Sequence, residues 1–304
     1  MRPAFEAVTA RGGASRQASA SGLAAAQRRF TQGLAAARAL LGRDPRRGLV
    51  FHHIPKCAGS AIALSMRQHY APWQYRAVPS DATVQTARFF DTREVASPAE
   101  SRHFADTYWV DVHAYRLRLL HTFLTNGARA VGGHIVYHPG IHEQFQHSHS
   151  FVTILRDPVE RFVSQYFYSK HANSYSRLPA DFDADELEVI GPVWGGMITF
   201  FLGAGAELES AAAGDAADRW VPEAKRTLER LPVVGFVDDM DAFRRRLADT
   251  IGVRIDIGRR NVRPRRDDRD EERWIREVAP RFCAPDLEVY AHARAVRAEA
   301  RAAA

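Results

Sequence analysis

Cysteine is scarce in this chain of 304 residues, with only Cys57 and Cys283 present. That excludes a disulfide framework and a cysteine-rich zinc module. No run approaches the roughly 18 consecutive apolar residues that a membrane-spanning helix requires. Lysine is nearly absent as well: of 42 basic residues only Lys56, Lys170 and Lys225 are lysine, and the rest are arginine. Where arginine has replaced lysine this widely, a retained lysine marks a place that needs a compact ammonium rather than a planar fork. Acidic residues are missing from the start of the chain, where Glu6 and Asp44 are the only two before residue 48.

What remains is ordinary globular composition, 46% hydrophobic and 26% charged, with a formal net charge of +6. A basic excess of this size favours anionic ligands without implying nucleic acid. Residues 1–47 are rich in Ala, Arg, Ser and Gly, and they read as a variable, loosely docked extension. Within them Leu23 to Leu41 carries the spacing of an amphipathic helix. The acid-poor, Arg- and Ser-rich start also fits a transit peptide, and it has no apolar signal-peptide core.

From residue 48 apolar strand-like runs alternate with helical segments. Strands are expected at 48–54, 128–132, 150–155 and 232–237, and helices at 60–70, from Pro158, at 222–230, at 241–250 and from Pro285. Such alternation predicts an α/β domain over residues 48–304, a parallel sheet covered by helices. The stretches from Pro72 to Tyr115 and from Asn173 to Trp220 carry few motifs, and are expected to shape the site of a bound molecule.

Two strand-to-helix junctions carry chemistry. In His53-Ile54-Pro55-Lys56-Cys57-Ala58-Gly59-Ser60-Ala61 small residues let the backbone approach a ligand. The helix N-terminus supplies N–H groups suited to a phosphate. Lys56 can reach the same anion and Ser60 can donate a hydroxyl. The lysine precedes the turn, so this is not a Walker A loop. In Leu155-Arg156-Asp157-Pro158-Val159-Glu160-Arg161-Phe162-Val163-Ser164, Asp157 is an expected N-cap, Pro158 suits the first helical position and Glu160 resembles a capping-box partner. Those three have a structural explanation. Arg156 at the carboxyl edge of a strand calls for an anion, and Ser164 shares a helix face with Asp157 and Arg161.

Together these segments resemble the carbohydrate sulfotransferases that use 3′-phosphoadenosine 5′-phosphosulfate (PAPS), in particular the heparan/uronyl 2-O-sulfotransferase-like branch and its bacterial relatives. The resemblance runs over about residues 48–294, with weaker echoes at Gly196 to Gly203, Ala224 to Phe243 and Asp286 to Tyr290. It implies a P-loop-like three-layer α/β fold. It also places Lys56, Cys57, Ala58, Gly59, Ser60 and Ala61 at the 5′-phosphosulfate, and Arg156 and Ser164 at the 3′-phosphate. Cys57 stands where the family usually has threonine, which removes one hydroxyl from that loop.

Five histidines, at 134, 138, 142, 147 and 149, crowd the stretch before the third strand. His142-Glu143 opens like a zincin, but the second ligand position holds Gln146, and Pro139-Gly140 interrupts any helix carrying His134 through His142. No metal site is expected. In the resembled family a Gly-His with an aromatic three residues on supplies the catalytic base, and Gly133-His134 with Tyr137 fits. An imidazole is suited to taking a proton from an acceptor hydroxyl. His53 is expected to support the loop, and His138 is an outlying candidate for substrate contact.

Ten arginines fall between Arg254 and Arg281, interleaved with acids, as on a solvated, charge-paired surface. The resemblance also suggests that Gly258 to Arg263, with Arg260 and Arg263, folds over the nucleotide as a lid. Trp274 and Phe282 are too few aromatics for a base-stacking platform. The sequence thus predicts a PAPS-dependent sulfotransferase, with His134 as base and Lys56 stabilising the departing phosphate. Its acceptor is a hydroxylated small molecule or glycan. Its location is expected to be the bacterial cytoplasm, with no nucleic-acid partner and no membrane span. A magnesium-dependent phosphotransferase and a non-catalytic polyanion-binding protein are the alternatives.

Overall fold

Gly48–His52 (β1) is buried along its whole length, as expected of a strand covered on both faces. In this computed structural model, which describes residues 29–30, 32–37, 40–41, 47–78, 98–171, 183–208, 217–252, 257 and 269–302, β1 is the middle strand of five. The others are Tyr75–Ala77 (β2), Ala130–Gly133 (β3), His149–Leu155 (β4) and Val233–Phe236 (β5). Their order is β2-β3-β1-β4-β5, and every pairing is parallel. His52 lies in register with Gly133 on one side and Thr153 on the other. The chain therefore leaves β3, β1 and β4 side by side along one carboxyl edge.

Ten helices follow the strands among the described residues: α1 (Gly59–His69), α2 (Pro98–Thr125), α3 (Pro139–Phe145), α4 (Pro158–His171), α5 (Ala184–Gly195), α6 (Met197–Gly203), α7 (Ala217–Arg230), α8 (Met240–Ile251), α9 (Arg269–Phe282) and α10 (Ala284–Ala302). Helices α1 and α2 pack on β3, and α8 on β4 and β5. The molecule is the expected α/β fold, a central parallel sheet flanked by helices. Its main core joins the sheet to α1, α6, α7, α8 and α10. A second cluster, with Phe162, Phe167, Trp194, Ile275 and Phe282, binds α4 to α5 and α9.

Three stretches gain structure that their residues alone did not show. The motif-poor stretch from Pro72 to Tyr115 holds the edge strand β2 and much of α2. Part of the basic run is helix α9, whose Ile275, Ala279 and Phe282 are buried. No helix carries His134 through His142, as Pro139-Gly140 implied: Pro139 starts α3, and His138, the outlying candidate for substrate contact, caps it. Residues 32–37 of the N-terminal extension are helical, and Ala35 there is buried. The lid stretch Gly258 to Arg263, with Arg260 and Arg263, lies outside the described residues.

Candidate active site

The loop after β1 turns through an unusual backbone. Lys56 (φ 67°) and Ala58 (φ 58°) both adopt the left-handed conformation. For residues bearing a Cβ this costs on the order of 1–2 kcal/mol each, and it persists where surrounding structure enforces it. Ala58 is the N-cap of α1 and offers no side-chain cap, so the first-turn N–H groups of the helix meet no side-chain acceptor from that position. Successive N–H groups in such a turn form a concavity suited to an anion. Ser60 is exposed at its rim, whereas Ala61 is buried.

Cys57 faces the other way. Its side chain is wholly buried, and burial pushes the thiol up to about 11 despite Arg161 and a hydrogen bond with the Arg156 backbone. The Cys57 N–H is spent on Ile54 O at 3.2 Å. Cys57 thus packs the two loops together, and its side chain is not presented to a ligand.

Gly59 is required by His53. A Cβ at residue 59 would lie 1.8 Å from His53 Cδ2, so the imidazole covers the start of α1. That ring stacks on Phe51 and meets His134 edge-on at 4.5 Å between centroids. The His53 N–H donates to Gly133 O at 2.9 Å. His134, just past β3 and half-buried, is thus tied to the β1 loop through one intervening ring. The supporting role expected of His53 is what the geometry displays.

The β4 junction closes the other side. Asp157 caps α4, accepting the Glu160 N–H at 3.0 Å. The Glu160 carboxylate is taken by both guanidinium nitrogens of Arg276 and lies 3.7 Å from Arg156. Arg276 is thereby held more basic than usual. Arg161 is entirely buried, donates to Trp194 O, and lies 3.9 Å from the equally buried Asp286. Ser164 follows one turn later, half-buried, and Tyr168 one turn after that.

Lys56 reaches across to this helix. Its ammonium lies 3.7 Å from the centroid of the Tyr168 ring. Burial, then Arg156, then Arg161 lower the lysine to about 8. The two junctions are therefore one site. Lys56 after β1 and Arg156 after β4 stand at the carboxyl edge of the sheet, where α/β proteins bind ligands, with Arg161 buried behind them. Arg161 is paired with Asp286 and Arg156 lies near Glu160, whereas the Lys56 ammonium meets an aromatic ring and no carboxylate among the described contacts.

Three of the remaining histidines of this stretch, His138, His142 and His149, have structural partners. His138 Nδ1 accepts the Gly140 and Ile141 N–H groups. The Tyr137 hydroxyl and His142 Nδ1 share a hydrogen bond at 2.6 Å, and the Tyr137 ring lies tilted against His52. His149 donates to Ala128 O at 2.8 Å. Among the described residues, no group of three or more His, Cys, Asp or Glu side chains is arranged to hold a metal ion. No helix among them is long and apolar enough to cross a membrane. In the described part of the basic run Arg273 pairs with Asp270, Arg276 with Glu160 and Glu272, and Arg281 with Glu188.

The sequence held no sign of Arg161 and Asp286 as a pair. Asp286, at the start of α10, accepts the Ile198 and Thr199 N–H groups and the Thr199 hydroxyl, capping α6 from a distant helix. The partner of Lys56, Tyr168, was equally hidden, because only the fold brings α4 beside the β1 loop.

The model of the sulfotransferase family matches residues 41–182, a little under half of the chain, and this segment contains both loops and His134. No curated protein matches the chain. One solved structure, described as a sulfotransferase from Alicyclobacillus acidocaldarius, is 19% identical, with a TM-score of 0.42 over 83% of this chain and 95% of its own. The family match supports sulfuryl transfer as the chemistry of this segment.

Proposed function

We propose that this chain is a sulfotransferase that moves a sulfuryl group from PAPS to a hydroxyl of a carbohydrate or similar acceptor. One observation carries the reading: Lys56, on a left-handed turn at a helix start, lies close enough to the partly exposed Arg156 of the second junction to be lowered by its charge. That arrangement suits a ligand with two separated anionic groups. The 5′-phosphosulfate is assigned to the Lys56–Ala61 turn, and the 3′-phosphate to Arg156 and Ser164. Arg260 and Arg263 are assigned to the lid. The catalytic unit is residues 48–304, with residues 1–47 as an extension, and the branch is the 2-O-sulfotransferase-like one. The two free, buried thiols fit a cytoplasmic setting.

The acceptor oxygen attacks sulfur in line while the sulfur–oxygen bond to the 5′-phosphate breaks. His134 takes the hydroxyl proton, leaving a sulfate ester and adenosine 3′,5′-bisphosphate. Negative charge grows on the departing phosphate, where Lys56 and the turn's N–H groups stabilise it. With its pKa near 8, Lys56 is mostly protonated at neutral pH, and an arriving anion raises that pKa.

The test is calorimetric binding of adenosine 3′,5′-bisphosphate beside ATP with and without Mg²⁺. Metal-independent binding of the bisphosphate, weakened by Arg156→Ala, is the expected result. Preference for Mg-ATP, or no binding, overturns the proposal.

A further inference from the structure

Each lysine in the chain ends on a partner, and one of the three differs in kind. Lys170 pairs with Glu271 and Lys225 with Glu288. The Lys56 ammonium lies instead over the face of Tyr168. Packing does not explain that tyrosine. The buried face of α4 is made by Phe162, Val163, Tyr166 and Phe167, whereas Tyr168 keeps 49% of its surface exposed. It stands four residues beyond Ser164, the spacing that puts two side chains on one helix face. The ring therefore lies beside the residues assigned to the donor and holds the lysine of the other loop.

The electrostatic surroundings give the ring its task. Arg156 beyond β4 and Arg161 on α4 both lower Lys56, and Arg161 is paired with the buried Asp286 of α10. Glu160 on α4 is engaged by Arg276 and Arg156. Cys57, on the lysine's own loop, is a buried neutral thiol, and His53 lies against Gly59 and His134. The negative face of an aromatic ring attracts an ammonium. It does so without adding the full charge that would compete with an incoming phosphate.

We infer that Tyr168 is a positioning residue for Lys56: its ring face receives the ammonium, keeps it charged, and holds it toward α4 until an anionic ligand group takes its place. The inference rests on the reading above for the identity of that ligand, but the contact between ring and lysine stands apart from it. Removing the ring while keeping apolar cover leaves the ammonium with no partner of its own, since Asp286 and Glu160 are taken up by the arginines. More of the lysine is then neutral at a given pH.

With only three lysines, pulse acylation by a small amine reagent, read by mass spectrometry over a pH series, resolves Lys56 separately. Lys170 and Lys225 serve as internal references. Tyr168→Leu is expected to speed Lys56 labelling at mildly alkaline pH by roughly three- to tenfold, the scale of a partly exposed cation–π contact. Tyr168→Phe is expected to label like the wild type. Unchanged Lys56 labelling in the leucine variant overturns the inference, as does a phenylalanine variant that behaves like leucine. Unfolding midpoints of both variants confirm an intact α4. The second arm is calorimetry with adenosine 3′,5′-bisphosphate, where Tyr168→Leu is expected to bind more weakly, increasingly so as pH rises. Altered labelling in a protein that binds no bisphosphate supports the ring-held lysine and overturns the sulfotransferase reading, so the two failures are distinct.

Discussion

The guanidinium of Arg161 and the carboxylate of Asp286 lie 3.9 Å apart with no exposure of either side chain. Neither is satisfied by the other alone: Arg161 also donates to Trp194 O, and Asp286 also caps α6 through Ile198 and Thr199. One ion pair thus joins the helix bearing Arg156's neighbours to α6 and α10. Burial outweighs the guanidinium in setting the Asp286 carboxyl, which is pushed up to about 6. Because Arg161 Nε and Nη1 have no hydrogen-bond partner among the described residues, the arginine depends heavily on this single acid.

Asp286→Ala is therefore expected to destabilise the protein by about 3–5 kcal/mol, since it strands a buried guanidinium and uncaps α6 together. Asp286→Asn keeps an acceptor for the α6 N–H groups and should lose less. Urea unfolding midpoints read both. A loss below about 1 kcal/mol for the alanine variant would show the pair to be dispensable.

Replacing the two loop cations separates binding from chemistry. Arg156→Ala is expected to weaken adenosine 3′,5′-bisphosphate binding roughly ten- to a hundredfold, with a smaller effect on turnover of bound substrate. Lys56→Ala should instead lower kcat by about 10²–10³, the scale of a lost donor to a developing oxyanion. Lys56→Arg should not rescue, because a planar fork on a left-handed turn cannot retrace the path of the ammonium. Steady-state kinetics with calorimetry checks all three. Equal losses of kcat and affinity in both alanine variants would contradict the division of roles.

Gly59→Ala tests the chain of contacts from the loop to His134. The new methyl would fall 1.8 Å from His53 Cδ2, and the His53 ring is itself held by Phe51 and His134. The ring must move, so activity should fall well beyond the modest stability cost of overpacking, about 1–3 kcal/mol. Adding His53→Ala opens the space again and should restore stability, while activity stays low because His134 has lost its neighbour. Recovery of full activity in the double variant would mean that His53 plays no part in placing the base.

Much of this site was legible because parallel strands buried on both faces read as apolar runs, and the chemistry follows directly where they end. Lys56, His134 and Arg156 each stand within a few residues of such an end. The edge strand β2 escaped notice because Tyr75, Arg76 and Ala77 are three partly or fully exposed residues, too few to show a period. Helix α2 has little apolar periodicity despite its 28 residues. The contacts of Arg161 with Asp286, and of Lys56 with Tyr168, join distant parts of the chain and leave no local trace. Cys57 and Ser60 illustrate the same limit. Spacing places both in the turn, while only the fold decides that the thiol turns inward and the hydroxyl outward.

Acid should unfold this protein through a histidine outside the site. His52 is wholly buried on β1, donates from Nδ1 to Ile135 O at 3.0 Å, and stacks on Phe151. Burial lowers it from 6.5 to about 4. Between those values the unfolded chain takes up a proton that the folded chain refuses. The contribution of His52 is therefore complete above pH 6.5 and is lost as pH falls through about 4, amounting to about 3 kcal/mol. His142 and His149, both lowered by burial, act in the same direction. Asp286, raised to about 6, opposes them over part of that range, because the folded state keeps its proton longer than the unfolded chain does. Three groups against one predict a net loss of stability on acidification, measured by urea unfolding at a series of pH values. His52→Phe should remove about 3 kcal/mol of that pH dependence, at the expense of the bond to Ile135 and hence of some stability at neutral pH. A phenylalanine variant with the wild-type slope would show that His52 is not buried and neutral in the folded protein.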